Sequence, residues 1–148
     1  MFLDNIEIEI KRVSDKVHII YNNEEFILLT DIDIKEITTL IGKNYNIVKS
    51  KINNENINSN DINIITIKII LYYLSTYILW RRMYSKEKNR DLTFIEKDLH
   101  NPQTNDIIIN YFKKEYPNHY VEKCSILLNK PVSETILYIK NREDFQNR

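Results

Sequence analysis

The sequence of 148 residues contains no alanine, one glycine, one cysteine and three prolines. A single cysteine excludes an internal disulfide bond and a cysteine-rich zinc site, and it suits the reducing interior of a cell. A single glycine excludes the glycine-rich loops that bind phosphate groups. The three histidines are widely separated, and the acids form no pattern typical of a catalytic pair. We therefore expect a cytoplasmic protein that is not an enzyme and holds no metal or cofactor.

Positive and negative charges balance over the whole chain but not along it. The sequence has 21 Lys or Arg and 21 Asp or Glu, a net charge of zero. Residues 1–36 hold nine acids and four Lys or Arg, a balance of −5, so the remainder carries +5. Such asymmetry allows a basic binding surface on a neutral protein. The abundance of Ile, Asn, Lys and Tyr, which AT-rich codons encode, favours a virus, phage or mobile element as the source.

The only glycine lies between two amphipathic runs. Ile37, Leu40 and Ile41 would share one face of a first helix. Ile47 or Val48, with Ile52, would share one face of a second helix, and Gly42 would end the first in a conformation of positive φ. This pattern resembles the helix-turn-helix of bacterial and phage regulators, in particular sigma-factor-type readers, whose second helix enters a DNA groove. The side chains that would then contact DNA are Lys43, Asn44, Tyr45, Asn46, Lys49, Ser50 and Lys51.

A β-hairpin is predicted ahead of this motif. Two β-prone runs, residues 17–21 and 26–29, are joined by Asn22-Asn23-Glu24-Glu25. Asparagine tolerates the left-handed conformations that tight hairpin turns require. We assign the hairpin and the motif to one unit, residues 1–58.

The longest apolar stretch runs from Ile62 to Trp80 and predicts a helix. It is long enough to cross a membrane, but Lys68 near its middle would cost about 2.5 kcal/mol or more in a bilayer. We therefore expect no membrane insertion. The stretch would form a core or dimer helix, and this helix and a following connector make up a second unit, residues 61–100. A homodimer would pair through the aromatic side chains of this helix, Tyr72, Tyr73, Tyr77 and Trp80.

Residues 104–148 divide into three short helical runs. The first would span residues 106–116 and the second residues 120–128. The third would begin with Ser133 as its N-cap and end near Arg142.

The order of Tyr116-Pro117, Asn129-Lys130 and Ser133 resembles that of the Myb/SANT-like trihelical domain found in phage and transposon proteins. In that family the third helix is the reading helix. The resemblance implies DNA contacts from Lys130, Ser133, Tyr138, Lys140, Asn141 and Arg142. Lysines would contact phosphates, and asparagine amides suit adenine.

Together these features predict a mainly α protein with a small N-terminal β-hairpin and two helix-turn-helix units joined by a long hydrophobic helix. The expected function is sequence-specific binding of duplex DNA, as a transcriptional regulator of a phage, virus or mobile element. A second interpretation stays open, an all-helical viral protein that binds a host protein through a hydrophobic groove. Retention on heparin or nonspecific DNA at low salt would separate the two functions.

Overall fold

The computed structural model describes residues 1–83 and 102–147, with side chains described up to residue 78 in the first range. The strands are β1 (Phe2–Leu3), β2 (Ile6–Val13), β3 (Lys16–Tyr21) and β4 (Glu24–Leu29). The helices are α1 (Ile34–Ile52), α2 (Ser59–Met83), α3 (Pro102–Glu115), α4 (Tyr120–Leu128) and α5 (Val132–Gln146). The predicted fold class, mainly α with a small N-terminal β region, is confirmed.

The four strands form one antiparallel sheet in sequence order. Each connection is a two-residue loop whose first residue has a positive φ, namely Asp4, Ser14 and Asn22. Asn23 is left-handed as well, so the loop between β3 and β4 has the two positive φ angles of a type I′ turn. The predicted hairpin is therefore confirmed, and it is part of a larger meander. Asp, Ser and Asn occupy the turn positions where glycine is usual.

Helix α1 continues without interruption through Gly42, so the predicted turn at this glycine is wrong. Gly42 does not have a positive φ, and a Cβ atom there would meet only Met1 Cε, at 3.8 Å. The buried side chains of α1 form one stripe across the glycine, and the apolar ones are Ile37, Ile41, Tyr45 and Val48. One glycine costs a helix about 1 kcal/mol relative to alanine, which the burial of these four side chains outweighs.

Helix α2 packs against α1 and α3. Its first turn is capped by Asn58, whose side chain accepts a hydrogen bond from the Asn60 N–H at 2.8 Å. In the described part of the chain α2 is the one helix long and apolar enough to cross a membrane, over Ser59–Ile78, and 78% of its apolar window is buried inside the protein. The predicted connector up to residue 100 lies outside the described residues.

Two of the four aromatic residues predicted to pair subunits contribute to the core of the protein itself. Tyr73 is 9% exposed and Tyr77 is 7% exposed, so neither is presented to a second subunit. The Tyr73 hydroxyl lies 2.8 Å from Thr104 Oγ1, which joins α2 to α3. Tyr72 is partly exposed, and the side chain of Trp80 lies outside the described residues.

The three C-terminal helices lie close to where the sequence predicts them. Helix α3 begins earlier, at Pro102, a residue that suits the first helical position, and α5 continues past the predicted end near Arg142 to Gln146. Helix α4 ends at Leu128, and its C-cap Asn129 has a φ of 54°. The N–H groups of Asn129 and Lys130 then bond the last carbonyls of α4, as in common C-terminal caps. The prediction of Ser133 as an N-cap is wrong, because Pro131 occupies that position and Ser133 lies inside the first turn of α5.

Asp61 ties the start of α2 to the end of α3. Its carboxylate accepts hydrogen bonds from the Tyr111 hydroxyl at 2.6 Å and from the Tyr116 hydroxyl at 2.8 Å. Asp61 is only 4% exposed, and its bond to Tyr111 is buried, whereas the bond to Tyr116 is partly buried. The bond to Asp61, together with burial, raises the pKa of Tyr116 to about 12.

Candidate functional site

Two of the α1 residues predicted to contact DNA are buried. Asn44 is 0% exposed and Tyr45 is 2% exposed. The Asn44 amide donates to the Leu40 carbonyl at 2.8 Å, and the Tyr45 hydroxyl donates to Asp4 Oδ2 at 2.7 Å. Burial and the neighbouring Asp4 raise the pKa of Tyr45 above its usual range. Both side chains are buried, so their predicted contact with DNA is wrong.

The remaining predicted residues of α1 lie at or near the surface. Lys49 forms an ion pair with Asp4 at 2.6 Å. Hydrogen bonds from Lys49 and Tyr45 lower the pKa of Asp4, so this carboxylate is a stable partner for Lys49. The surface-exposed positions are Lys43, Asn46, Ser50 and Lys51.

The predicted residues of α5 divide in the same way. Arg142 forms a two-bond ion pair with Asp106, at 2.8 Å from Nε and 2.6 Å from Nη2. The Tyr138 hydroxyl accepts a hydrogen bond from the Asn105 amide at 2.9 Å. Arg142 and Tyr138 therefore join α5 to α3. The predicted side chains that α5 exposes to solvent are Ser133, Lys140 and Asn141.

Lys51 and Lys130, far apart in sequence, line the same cleft. This lysine cleft has a volume of about 380 Å³ and lies between the end of α1, the start of α3 and the turn from α4 to α5. Asn105 and Asn129 are its polar neighbours, and no Asp or Glu occurs among the described residues that line it. Lys130 also lies over the Tyr138 ring, with Nζ 5.2 Å from the ring centre.

The charges around the lysine cleft favour an anion. The cleft opens at the first turn of α3, where the helix dipole is positive and which contains no acid. The Asn54 side chain donates to the Ile126 carbonyl at 2.9 Å, which fixes the loop after α1 to the end of α4. This bond joins two walls of the cleft. Both lysines were predicted from the sequence as DNA contacts. Their place in one cleft could not be predicted, because it depends on packing between distant segments.

A second concavity, the aromatic groove, lies where the β3–β4 hairpin meets α2 and α3. It has a volume of about 390 Å³, and the rings among its lining residues are those of Tyr21, Phe26, Tyr72 and Tyr111. Lys68 and Lys114 also line it, and both form ion pairs with Glu24. The sequence does not predict this groove, and its one signal is Lys68, a charged residue inside a mostly apolar run.

Among residues 1–83 and 102–147, no group of three or more His, Cys, Asp or Glu could hold a metal ion. Cys124 is fully buried, and burial raises the pKa of its thiol to about 12. No protein-family model, curated protein or solved structure matches the chain.

Proposed function

We propose that the protein binds duplex DNA, as a sequence-specific regulator of a phage, virus or mobile element, through the lysine cleft and the exposed face of α5. The observation that supports this proposal is that Lys51 and Lys130, from the two predicted DNA-binding stretches, line one cleft. Phosphate contacts supply most of the nonspecific affinity for DNA, and lysine ammonium groups suit them.

In this arrangement phosphates lie at the lysine cleft and α5 faces the bases. Lys140 and Asn141 project from the exposed face of α5, and an asparagine amide suits adenine. Ile136 and Leu137 are 54% and 60% exposed on the same helix and can contact thymine methyl groups. Helix α1 contributes the charge of Lys51 and does not act as a reading helix.

The lysine pair is tested with the Lys51→Ala/Lys130→Ala double variant. Its affinity should fall for all duplex sequences, and the slope of log K against log salt should decrease by about two units, since each lost phosphate contact removes about 0.9. The matched control is Lys16→Ala/Lys35→Ala, which removes the same charge from exposed positions outside the cleft. If both double variants lost the same affinity, the loss would be due to net charge alone, which would contradict the proposal. So would an absence of DNA binding by the wild type at low salt.

Base reading is tested separately with Asn141→Ala. Affinity for a selected target should fall by roughly 1–3 kcal/mol at one base pair, whereas nonspecific affinity and the salt slope should stay unchanged. A uniform loss across sequences would place Asn141 among the phosphate contacts instead.

The rival function, binding of a host protein through a hydrophobic groove, has the aromatic groove as its candidate surface. The all-helical fold that this interpretation assumed is wrong, because residues 2–29 form a sheet. Specific protein interfaces bury about 1,200–2,000 Å² in total, whereas the aromatic groove is a local concavity. Retention of the protein on duplex DNA and on heparin at low salt favours DNA binding, and flow-through on both favours the rival.

A further inference from the structure

The aromatic groove has the composition of a small-molecule site. Aromatic rings from the sheet, α2 and α3 converge on a volume of about 390 Å³. Small-molecule sites are concave, occupy about 300–1,000 Å³ and combine a mostly apolar lining with a few polar groups. Tyr72 is 36% exposed although it is a large aromatic residue on a concave surface. Its ring packs edge-on against Tyr73, with centres 5.2 Å apart, which holds it in place.

Two lysines share one carboxylate at the rim of the groove. Lys68 and Lys114 both bond the carboxylate of Glu24, Lys114 at 2.8 Å. Burial raises the pKa of Glu24, but the hydrogen bonds from Lys114 and Lys68 outweigh it and lower the pKa below its usual value. Glu24 is therefore ionised at neutral pH and is shared by the two lysines, and the charge of Glu115 also acts on Lys114. No Asp or Glu occurs among the described residues that line the groove itself.

The two lysines differ in their freedom to change partners. The side chain of Lys68 is 23% exposed, and its ammonium group also lies 5.6 Å from the centre of the Tyr21 ring. The side chain of Lys114 is 67% exposed. Exposed ion pairs contribute little to stability, so Lys114 can turn to a second anion at small cost.

We propose that the aromatic groove binds a small organic carboxylate with an aryl or alkyl body. The apolar body lies against the rings of Tyr72 and Tyr111, and the carboxylate lies at the ammonium groups of Lys114 and Lys68. This proposal is independent of DNA binding, because it uses no residue of the lysine cleft.

The test compares three probes of one shape, phenylbutyrate, phenylbutanol and phenylbutylamine, by calorimetric titration of the full-length protein. The carboxylate should bind about tenfold more tightly than the neutral alcohol, and the amine should bind more weakly than both, because an added charge-assisted contact is worth about one factor of ten. Equal affinities for the carboxylate and the alcohol would overturn the proposed charge recognition. No heat with any probe at millimolar concentration would overturn the site.

Variants locate the binding. Lys114→Met keeps an unbranched side chain but removes the more exposed of the two ammonium groups at the rim, so the preference for phenylbutyrate over phenylbutanol should disappear. The matched control is Lys113→Met on the same helix, since Lys113 pairs with Glu143 and does not line the groove. Tyr72→Ala should weaken the carboxylate and the alcohol alike. Loss of the preference in Lys113→Met as well, or unchanged binding in Tyr72→Ala, would place the probes elsewhere and refute the assignment.

Discussion

The sequence predicts a break between helices at Gly42 and another between residues 128 and 133, where Asn129 lies, and only the second is a turn. Gly42 is the residue with greater conformational freedom, yet it lies inside the continuous helix α1. Asn129 carries a Cβ atom, yet it adopts the left-handed conformation with a φ of 54°. Residue type alone therefore does not decide where a helix ends.

The difference lies in the neighbouring sequence. Asn129 is followed by Pro131, which fits the start of a new helix and cannot continue the previous one. Nothing comparable follows Gly42. The apolar spacing of Ile37, Ile41 and Tyr45 runs through the glycine at intervals of four residues, so one helix buries all three.

The largest expected effect distinguishes a core helix from a solvent-facing one. Ile41→Ala, next to Gly42 and 0% exposed, should lower the free energy of unfolding by about 2–5 kcal/mol. Ile136→Ala on α5 is the matched control, and at 54% exposure it should change stability by no more than about 0.5 kcal/mol. Urea unfolding measures both. Similar losses in the two variants would mean that α1 and α5 are packed alike, and the comparison would fail.

A second effect tests the contact between α2 and α3. Asp61→Asn keeps the shape of the side chain but removes the charge that accepts the hydroxyl protons of Tyr111 and Tyr116. We expect a loss of about 1–3 kcal/mol in the free energy of unfolding, because both bonds are charge-assisted and the one to Tyr111 is buried. Asp144→Asn, an exposed position on α5, is the control and should be neutral.

The same contact has a signature in pH. The pKa of Tyr116 is raised to about 12 in the folded state. The contribution of the Tyr116 hydroxyl to the free energy of unfolding is therefore complete below pH 10 and is lost as the pH rises from about 10 to 12. In Asp61→Asn the pKa of Tyr116 should fall back toward 10, as NMR of labelled tyrosine rings would show. An unchanged pKa in the variant would mean that Asp61 is not its partner.

The sequence was informative where signals were local. Asn22 and Asn23 predicted a hairpin turn, and proline with αL-tolerant asparagine predicted the boundaries between α3, α4 and α5. The predicted turn at Gly42 is wrong because the periodic burial of apolar side chains across α1 outweighs the low helix propensity of one glycine. The two concavities could not be predicted, because the distance between Lys51 and Lys130 depends on tertiary packing and not on spacing.

A smaller effect is expected at the turn that does form. Asn129→Ala should destabilise the fold by roughly 1 kcal/mol, since a residue with an ordinary side chain is strained at a φ of 54°. Asn129→Gly should recover the loss, because glycine adopts this conformation without strain. Thermal unfolding of the two variants gives the comparison. If alanine and glycine behave alike, Asn129 is not left-handed in solution.

The smallest effect has the opposite sign and decides the comparison at Gly42. In a continuous helix Gly42→Ala should stabilise the protein by about 0.5–1 kcal/mol, because alanine has the higher helix propensity and restricts the unfolded chain. The substitution causes no steric clash, since the new Cβ atom meets only Met1 Cε at an ordinary contact distance of 3.8 Å. At a left-handed turn the same substitution would introduce strain and lower the melting temperature. A rise in the melting temperature of Gly42→Ala, beside a fall for Asn129→Ala, would establish that one of these two positions lies within a helix and the other in a turn.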